Sequence, residues 1–294
     1  MLDADNYFRQ HPVILHPTST VMQRAKKNLG QNFLVDESVA ARIVREVAPQ
    51  AGETLIEIGA GRGALTARLL EHGTQVVAIE FDRDLVPHLR ERFGARQNFS
   101  LVEGDALALD YCTLIAPAAC ARVVANLPYN ISTAILQRLI EQRHCLTDLV
   151  LMLQREVVAR MVAPPETSER GFLSVLVEAY FETETLFDVA PIAFRPVPKV
   201  WSTVVRLRIR QQPHNFNEAD ETTLWRIVGA GFAQRRKTIF NNLRHAPADL
   251  QTRIESAGGA GTLLQMVNID PQRRAETLSL EEWMRLVRAV VAKR

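Results

Sequence analysis

The most informative stretch for chemistry is Asn126-Leu127-Pro128-Tyr129, which follows an apolar, strand-like run. The Asn126 side-chain oxygen and a nearby backbone carbonyl offer two acceptors, and Pro128 stiffens the turn because its ring fixes φ. Two acceptors directed at an NH2 group would orient its hydrogens and expose the nitrogen lone pair for in-line attack on a methyl group. Tyr129 adds an aromatic face for a base drawn out of its stack, worth roughly 1–3 kcal/mol. The alternative is an ordinary proline turn with Tyr129 as a wall residue.

A second set of candidates lies at three successive strand ends. The first strand leads into Gly59-Ala60-Gly61-Arg62-Gly63, where glycines let the backbone turn sharply and approach a ligand. Glu80 ends the next strand and could accept hydrogen bonds from both ribose hydroxyls of an adenosine cofactor. Asp105 closes the third strand, where it could bond the cofactor adenine or cap a helix. With Ala64 the turn also satisfies GxGxxA, so an NAD-dependent oxidoreductase is an alternative, although no catalytic His, Tyr-Lys or Cys arrangement accompanies it.

These candidates depend on elements that alternate along the chain. Strand-like runs are predicted at 54–58, 75–80, 99–103, 122–125 and 148–153, with helical spacing between them, as at 36–47 and 64–72. This alternation predicts an α/β fold, a mostly parallel sheet with helices on both faces. Ligands bind such sheets at the carboxyl ends of the strands. An antiparallel strand is predicted at 203–209 and a linker at 211–215, after which the pattern is helical, broken near Pro247, 258–261 and Pro271.

We therefore predict three parts: a flexible N-terminal extension (1–22), a catalytic α/β domain (23–210) and a small all-helical domain (218–294). The last 89 residues, 206–294, carry 15 Lys/Arg against 9 Asp/Glu, whereas the first 205 carry 20 against 24. A basic helical domain suits a polyanionic partner, with ordinary surface charge as the alternative.

Composition narrows the class of protein. The chain has 294 residues, of which 47% are apolar and 23% charged, as in globular proteins. No apolar run reaches the roughly 18 residues of a membrane span, and the N-terminus does not read as a secretory signal, so we expect a cytoplasmic protein away from membranes. Cys112, Cys120 and Cys145 show no CxxC pair or zinc spacing; we expect them to be reduced, and we predict no metal site.

Several segments, spread from about residue 24 to 283, carry a family resemblance: 27–34, 57–63, Glu80, 104–105, 126–132, 153–157, 193–200, 232–238 and 268–276. On these segments the chain resembles the ribosomal RNA adenine N6,N6-dimethyltransferases. The resemblance is greatest to the small-subunit (16S) enzymes, which dimethylate two adjacent adenosines in a hairpin loop. It departs from the family at Ala60, where Pro is usual, and at Trp201, where Asp is usual.

The resemblance implies a Rossmann-like class I methyltransferase sheet that uses S-adenosylmethionine, followed by a helical domain that helps to grip RNA. The enzyme would act late in assembly on the immature small ribosomal subunit, and we expect a monomer. The residues that would hold the cofactor are Gln31, Asn32, Leu34, Gly59, Gly61, Glu80, Asp105 and Asn126. Asn126 would also hold the target amine, while Tyr129 and Phe194 would sandwich the target base.

Arg235-Arg236-Lys237 and Arg244 are predicted to share roughly one face of a helical stretch and to contact RNA phosphates. Solvated helix charge is the alternative. Two further functions stay open. One is a resistance-type enzyme that methylates large-subunit rRNA, against which the Asn268-Ile269-Asp270-Pro271 segment argues. The other is an assembly factor for which methylation is secondary.

Overall fold

The computed structural model describes residue 26 and residues 30–128, 131–210 and 218–292. The predicted N-terminal extension (1–22) and linker (211–215) lie outside the described residues. The described residues form nine strands: β1 (Phe33–Leu34), β2 (Thr54–Ile58), β3 (Gln75–Glu80), β4 (Phe99–Glu103), β5 (Ala121–Asn126), β6 (Leu146–Gln154), β7 (Phe181–Val189), β8 (Phe194–Arg195) and β9 (Ser202–Ile209).

Seven of these strands form one sheet in the order β4-β3-β2-β5-β6-β9-β7. Strands β2 to β6 pair in parallel with one another, whereas β9 is antiparallel to both β6 and β7. The α/β fold and the antiparallel strand near residue 203 are therefore confirmed. The order reverses beside β2, so the turns after β2 and β5 open at the switch point where such sheets bind ligands.

The parallel strands formed where the sequence predicted them, because each contains an apolar run. Strands β2, β3, β5 and β6 are largely buried, whereas β4 lies at the edge of the sheet and is partly exposed. Strands β2, β3 and β4 have the predicted limits, and β5 and β6 each extend beyond theirs. In β2, Leu55, Ile56 and Ile58 are all buried. The carboxyl ends of these strands meet at one edge of the sheet, which fixes where the chemistry can lie.

Two pairings were not predicted. Strand β7, with the sequence Phe-Glu-Thr-Glu-Thr-Leu-Phe-Asp-Val, is an edge strand whose outward carboxylates pair with β9, as Glu184 does with Arg206 and Arg208. Because its sequence is largely polar, a search for apolar runs does not predict this strand. Strands β1 and β8 form a separate antiparallel pair, with Leu34 opposite Phe194, and so join the N-terminal segment to a segment 160 residues away.

Helices cover the sheet and form the C-terminal part. In the described residues they are α1 (Glu37–Val47), α2 (Ala64–Glu71), α3 (Val86–Phe93), α4 (Tyr111–Leu114), α5 (Ser132–Glu141), α6 (Arg155–Met161), α7 (Phe172–Tyr180), α8 (Glu218–Gly231), α9 (Ile239–Arg244), α10 (Ala248–Ser256), α11 (Gly259–Met266) and α12 (Leu280–Val291). None of them is long and apolar enough to cross a membrane. Helix α1 begins after Asp36, whose carboxylate accepts the N–H groups of Ser38 and Val39.

The C-terminal helices share a core with the sheet layer. Leu224 of α8 and Trp283 of α12 are fully buried in the same apolar cluster as Leu176 of α7 and Leu207 of β9. A capping box of Ser279 and Glu282 starts α12. The helical part therefore packs directly on the α/β part through a continuous apolar interior.

The expectation that all cysteines are reduced is wrong for two of them. Cys112 in α4 and Cys145, directly before β6, form a disulfide, with an S–S distance of 2.06 Å. The His144 ring lies 3.0 Å from the Cys112 sulfur. The spacing argument failed because the two cysteines are 33 residues apart and only the fold brings them together. A bonded sulfur is not the thiolate that zinc requires.

Candidate active site

A cleft opens at the carboxyl edge of the sheet, between the turns that follow β2, β3, β4 and β5. Its wall includes all eight residues predicted to hold a cofactor: Gln31, Asn32, Leu34, Gly59, Gly61, Glu80, Asp105 and Asn126. The segment before and within β1 forms one side of the cleft, and its position is fixed by the pairing of β1 with β8. The fold thus brings five separate parts of the chain to one cavity.

The glycine turn after β2 leaves the backbone open to this cleft. Gly59 and Gly61 have φ angles of +74° and +61°, which side-chain-bearing residues rarely adopt. A β-carbon on Gly59 would stand 3.9 Å from the Asn126 carbonyl, so this turn lies directly beside the end of β5. A ligand resting on the turn would therefore also reach Asn126.

Glu80 is held in position by backbone N–H groups from two turns of the cleft, those after β2 and β3. Its two carboxylate oxygens accept the N–H groups of Gly61 and Asp82, each at 2.8 Å. The side chain is almost fully buried. Burial raises the pKa of Glu80 above its ordinary value, against the opposing effect of these N–H groups. The carboxylate is thus oriented before any ligand binds, as an acceptor for a ribose should be.

Asp82 ties the N-terminal segment to the end of β3. Its oxygens accept hydrogen bonds from Lys26 Nζ at 2.6 Å and from Gln31 Nε2 at 2.7 Å. The Gln31 Oε1 accepts the Lys26 N–H at 2.8 Å. Burial disfavours ionisation of Asp82, but these hydrogen bonds outweigh it and hold its pKa below the ordinary value. Sequence reasoning missed this residue, although it lies two positions after the predicted Glu80.

Asn126 ends β5 and contacts the opposite wall of the cleft. Its Nδ2 donates to the Asn32 carbonyl at 3.2 Å, and the next residue, Leu127, donates its N–H to Met152 of β6. Asp105 accepts the Leu107 N–H in a tight turn rather than capping a helix. Tyr129 lies outside the described residues.

The structure does not bring Phe194 into the cleft. Its side chain is fully buried in the apolar cluster that also holds Leu34 and Val204. It lies opposite Leu34 in the β1–β8 pair, behind the wall of the cleft. Stacking of a base between Tyr129 and Phe194 stays a prediction, and it requires Phe194 to leave this position.

Comparisons with known proteins identify the family of this chain. A family described as ribosomal RNA adenine dimethylase matches residues 22–290. The chain belongs to this family. The resemblance stated from the sequence motifs is therefore confirmed. Since the family consists of S-adenosylmethionine-dependent methyltransferases, the dinucleotide alternative raised by the GxGxxA pattern is excluded.

Relatives within the family cover nearly the whole chain. A protein named ribosomal RNA small subunit methyltransferase A from Hahella chejuensis is 42% identical over 90% of this chain and 92% of its own length. The protein of the same name from Geobacter sulfurreducens is 43% identical over 92% of this chain and 96% of its own length.

Solved structures show the same fold. A dimethyladenosine transferase from Plasmodium falciparum superposes with a TM-score of 0.73 at 21% identity, covering 89% of this chain and 98% of that one. The 23S rRNA methyltransferase ErmE superposes with a TM-score of 0.63 at 26% identity, covering 88% and 100%. Both likenesses extend beyond the sheet into the helical part.

The predicted phosphate-binding residues are exposed, but their predicted helix is wrong. Arg235, Arg236 and Lys237 lie in a turn between α8 and α9, and only Arg244 is helical, in the last turn of α9. The Arg235 guanidinium donates to the carbonyls of Ser168 and Arg170. Helix α8 ends at Gly231. The Asn242 side-chain amide donates to the carbonyls of Gly231 and Gln234, and these hydrogen bonds stabilise the turn that follows the helix.

Glu57 is a second polar residue of the cleft that sequence reasoning missed. It lies within the apolar run of β2, is 2% exposed, and accepts the Thr66 hydroxyl at 2.5 Å. Burial raises the pKa of Glu57 to about 8, against the opposing hydrogen bonds from Thr66. A carboxylate inside an apolar strand was the available signal, because such a group is rarely buried without a function.

Proposed function

We propose that this protein transfers methyl groups from S-adenosylmethionine to the N6 amines of two adjacent adenosines in a hairpin loop near the 3′ end of small-subunit rRNA. The observation that carries the proposal is the position of Asn126, which lines the same cleft as Gly59, Glu80 and Asp105. The relatives named small subunit methyltransferase A, at 42% and 43% identity, favour this substrate over the large-subunit rRNA of ErmE, at 26%.

The residues present fit the cofactor. The open backbone at Gly59 and Gly61 would lie beneath its methionine part, and the oriented Glu80 carboxylate would accept both ribose hydroxyls. Asp105 would bond its adenine amine, while Gln31, Asn32 and Leu34 would cover it from the N-terminal side. When bound, S-adenosylmethionine supplies a methyl group made electrophilic by a sulfonium.

The chain's own residues act by positioning. Asn126 would accept one hydrogen of the adenine amine, a neighbouring backbone carbonyl would accept the other, and Pro128 would keep the two acceptors in place. Tyr129 would stack on the flipped base. No general base is needed to deprotonate the adenine amine first, because its nitrogen is neutral when it attacks the methyl group. The proton of the methylated amine passes to water afterwards. The rate enhancement would therefore come from orientation and fixed dipoles.

The rest of the proposal concerns the substrate particle. Arg235, Arg236, Lys237 and Arg244 would bind rRNA phosphates of the immature small subunit, which would place the protein in ribosome biogenesis in the cytoplasm. A monomer suffices, because one chain supplies every cofactor-binding candidate of the cleft. We also propose the catalytic and helical domains as 23–210 and 218–294, preceded by the extension 1–22.

The test uses purified protein, labelled S-adenosylmethionine and ribosomal subunits from a strain that lacks the modification. We expect label in small subunits as dimethyladenosine at two adjacent positions, mapped by nuclease digestion and mass spectrometry. Undermethylated large subunits in a parallel reaction are the control. Label that appears only in large subunits, or in a nucleoside other than N6-methylated adenosine, would overturn the proposal.

A further inference from the structure

An exposed apolar surface lies beside the cleft and has no part in the site described above. Eight large apolar residues stand out as exposed among those the structure describes, and four of them fall within ten residues. These four are Ile192, Val197, Val200 and Trp201, which are 68%, 50%, 41% and 45% exposed. Four exposed apolar side chains in so short a segment indicate a binding surface, whereas single exposed apolar residues scattered over a protein do not.

Strand pairing places Trp201 close to the reacting end of β5. Asn126 lies opposite Met152 on β6, and Ser202 lies opposite Gln154, two residues further along the same strand. Two strand spacings and about three residues of advance put the Trp201 Cα roughly 10–15 Å from the Asn126 Cα. A nucleotide next to a base held at Asn126 can therefore reach Trp201.

The charge of this surface suits RNA. Between Asp188 and Arg206 the chain carries Arg195 and Lys199 and no carboxylate. Arg155, at the start of α6, has its guanidinium 5.9 Å from the centre of the Trp201 ring, and its N–H donates to the Trp201 carbonyl at 3.0 Å. Asp188 is the acidic neighbour, 4.0 Å from Arg155. An aromatic face beside exposed cations is the arrangement that binds single-stranded nucleic acid.

We propose that Trp201 stacks on a base that flanks the target adenosine, with Arg155 and Lys199 beside the phosphates of that nucleotide. We call these three residues the stacking surface. The inference rests on the proposed function, because it takes the RNA bound at Asn126 as its ligand. RNA is favoured over a protein partner because the apolar residues are interrupted by cations without carboxylates and lie next to the catalytic cleft.

The first test compares Trp201→Ala with Trp201→Phe, which keeps an aromatic ring. Since base–aromatic stacking contributes about 1–3 kcal/mol, Trp201→Ala should raise the KM for undermethylated small subunits about 5- to 150-fold and leave kcat nearly unchanged. Trp201→Phe should stay close to wild type. Met266→Ala, which removes an equally exposed apolar side chain from α11, is the matched control. An unchanged KM in Trp201→Ala would overturn the proposal, as would equal losses in both Trp201 variants.

A second test reads the tryptophan directly. Of the three tryptophans, Trp283 is fully buried and Trp225 is partly buried, so Trp201 dominates the fluorescence that solvent quenchers can reach. A synthetic RNA hairpin that carries the two adenosines should quench this fraction, and the quenching should vanish in Trp201→Phe while binding persists. If Trp201→Ala weakens binding of intact subunits but not of the hairpin, the surface docks a ribosomal protein and the proposal is wrong.

These tests separate the two proposals. If the wild-type protein does not methylate small subunits, the proposed function fails, and hairpin binding with Trp201 quenching still reports on the stacking surface. Calorimetric titration of Trp201→Ala with S-adenosylmethionine should match wild type, because Trp201 is not part of the cleft wall. Thermal melting of each variant verifies that the fold is intact.

Discussion

The cofactor cleft and the stacking surface share one edge of the sheet but are built in opposite ways. In the cleft, buried carboxylates are held by hydrogen bonds, as Glu80 is by two N–H groups and Asp82 by Lys26 and Gln31. The stacking surface exposes an aromatic ring and two cationic side chains, those of Arg155 and Lys199, to solvent. A small ligand of one shape binds more tightly to groups that are already oriented. An RNA is bound by aromatic and cationic side chains that accept different bases and backbone positions.

The comparison predicts that changes in the cleft act on turnover or cofactor affinity, and changes outside it act on RNA binding. The largest effect is expected at Asn126, where the two ligands meet. Asn126→Ala should reduce the single-turnover methylation rate about 10²-fold or more, equivalent to about 2.7 kcal/mol, because an oriented acceptor is lost. Binding of small subunits in a sedimentation assay should stay nearly intact. Equal losses in rate and in binding would show that the two regions are not separable.

The next largest effect is expected at Glu80. Glu80→Ala should weaken S-adenosylmethionine binding about 10- to 100-fold by calorimetry, because hydrogen bonds to a charged group are lost and two buried N–H groups lose their acceptor. Affinity for the RNA hairpin should not change. Glu103→Gln alters an exposed carboxylate at the end of the neighbouring strand and should leave both affinities unchanged. A normal cofactor affinity in Glu80→Ala would refute the assigned role.

The buried acid of the cleft predicts a pH dependence of stability. The pKa of Glu57 rises from 4.5 to about 8 on folding, so its contribution to stability is present below pH 4.5 and is lost as the pH rises towards 8. Between pH 6 and 8 the loss should be roughly 2 kcal/mol. Glu57→Gln should remove it, so the Tm of this variant relative to wild type should increase with pH in thermal melts. A constant difference across this range would contradict the burial argument.

The smallest effect is expected in the turn that carries Arg236 and Lys237, which is exposed and distant in sequence from the cleft. Replacing both by alanine should weaken hairpin binding several-fold and reduce the slope of log affinity against log salt by up to about 2. The value of kcat should not change. Arg288→Ala, an exposed arginine of α12, is the control. An unchanged salt slope would remove this turn from the proposed RNA contacts.

The sequence could predict most of the lining of the candidate cleft because the cleft follows from the sheet. Glu80 and Asn126 each end a buried parallel strand, and Asp105 follows β4, the parallel strand at the edge of the sheet. Parallel strands that are covered on both faces must be apolar, which makes them visible in a sequence, and their carboxyl ends necessarily share one edge. The position of these three residues beside one another was therefore determined locally.

Other features depended on contacts between distant residues. The Asp82 hydrogen bonds with Lys26 and Gln31, the β1–β8 pair, and the disulfide of Cys112 and Cys145 each join segments that are far apart in the chain. The periodicity of apolar residues within a segment does not indicate which distant segment it will contact. The helical prediction for 235–237 failed for the same reason, because Asn242 and the loop at Ser168 hold that turn.

By itself, the sequence determined the class of fold, the family, and the order in which the candidate residues follow the parallel strands. These depend on apolar runs, turn residues and spacing. Only the tertiary structure decided which side chains are buried and which are available. It buried Phe194 and Glu57, exposed Trp201 and anchored the N-terminal segment to Asp82. The physical reason is that burial depends on what packs against a residue, and those neighbours come from the whole chain.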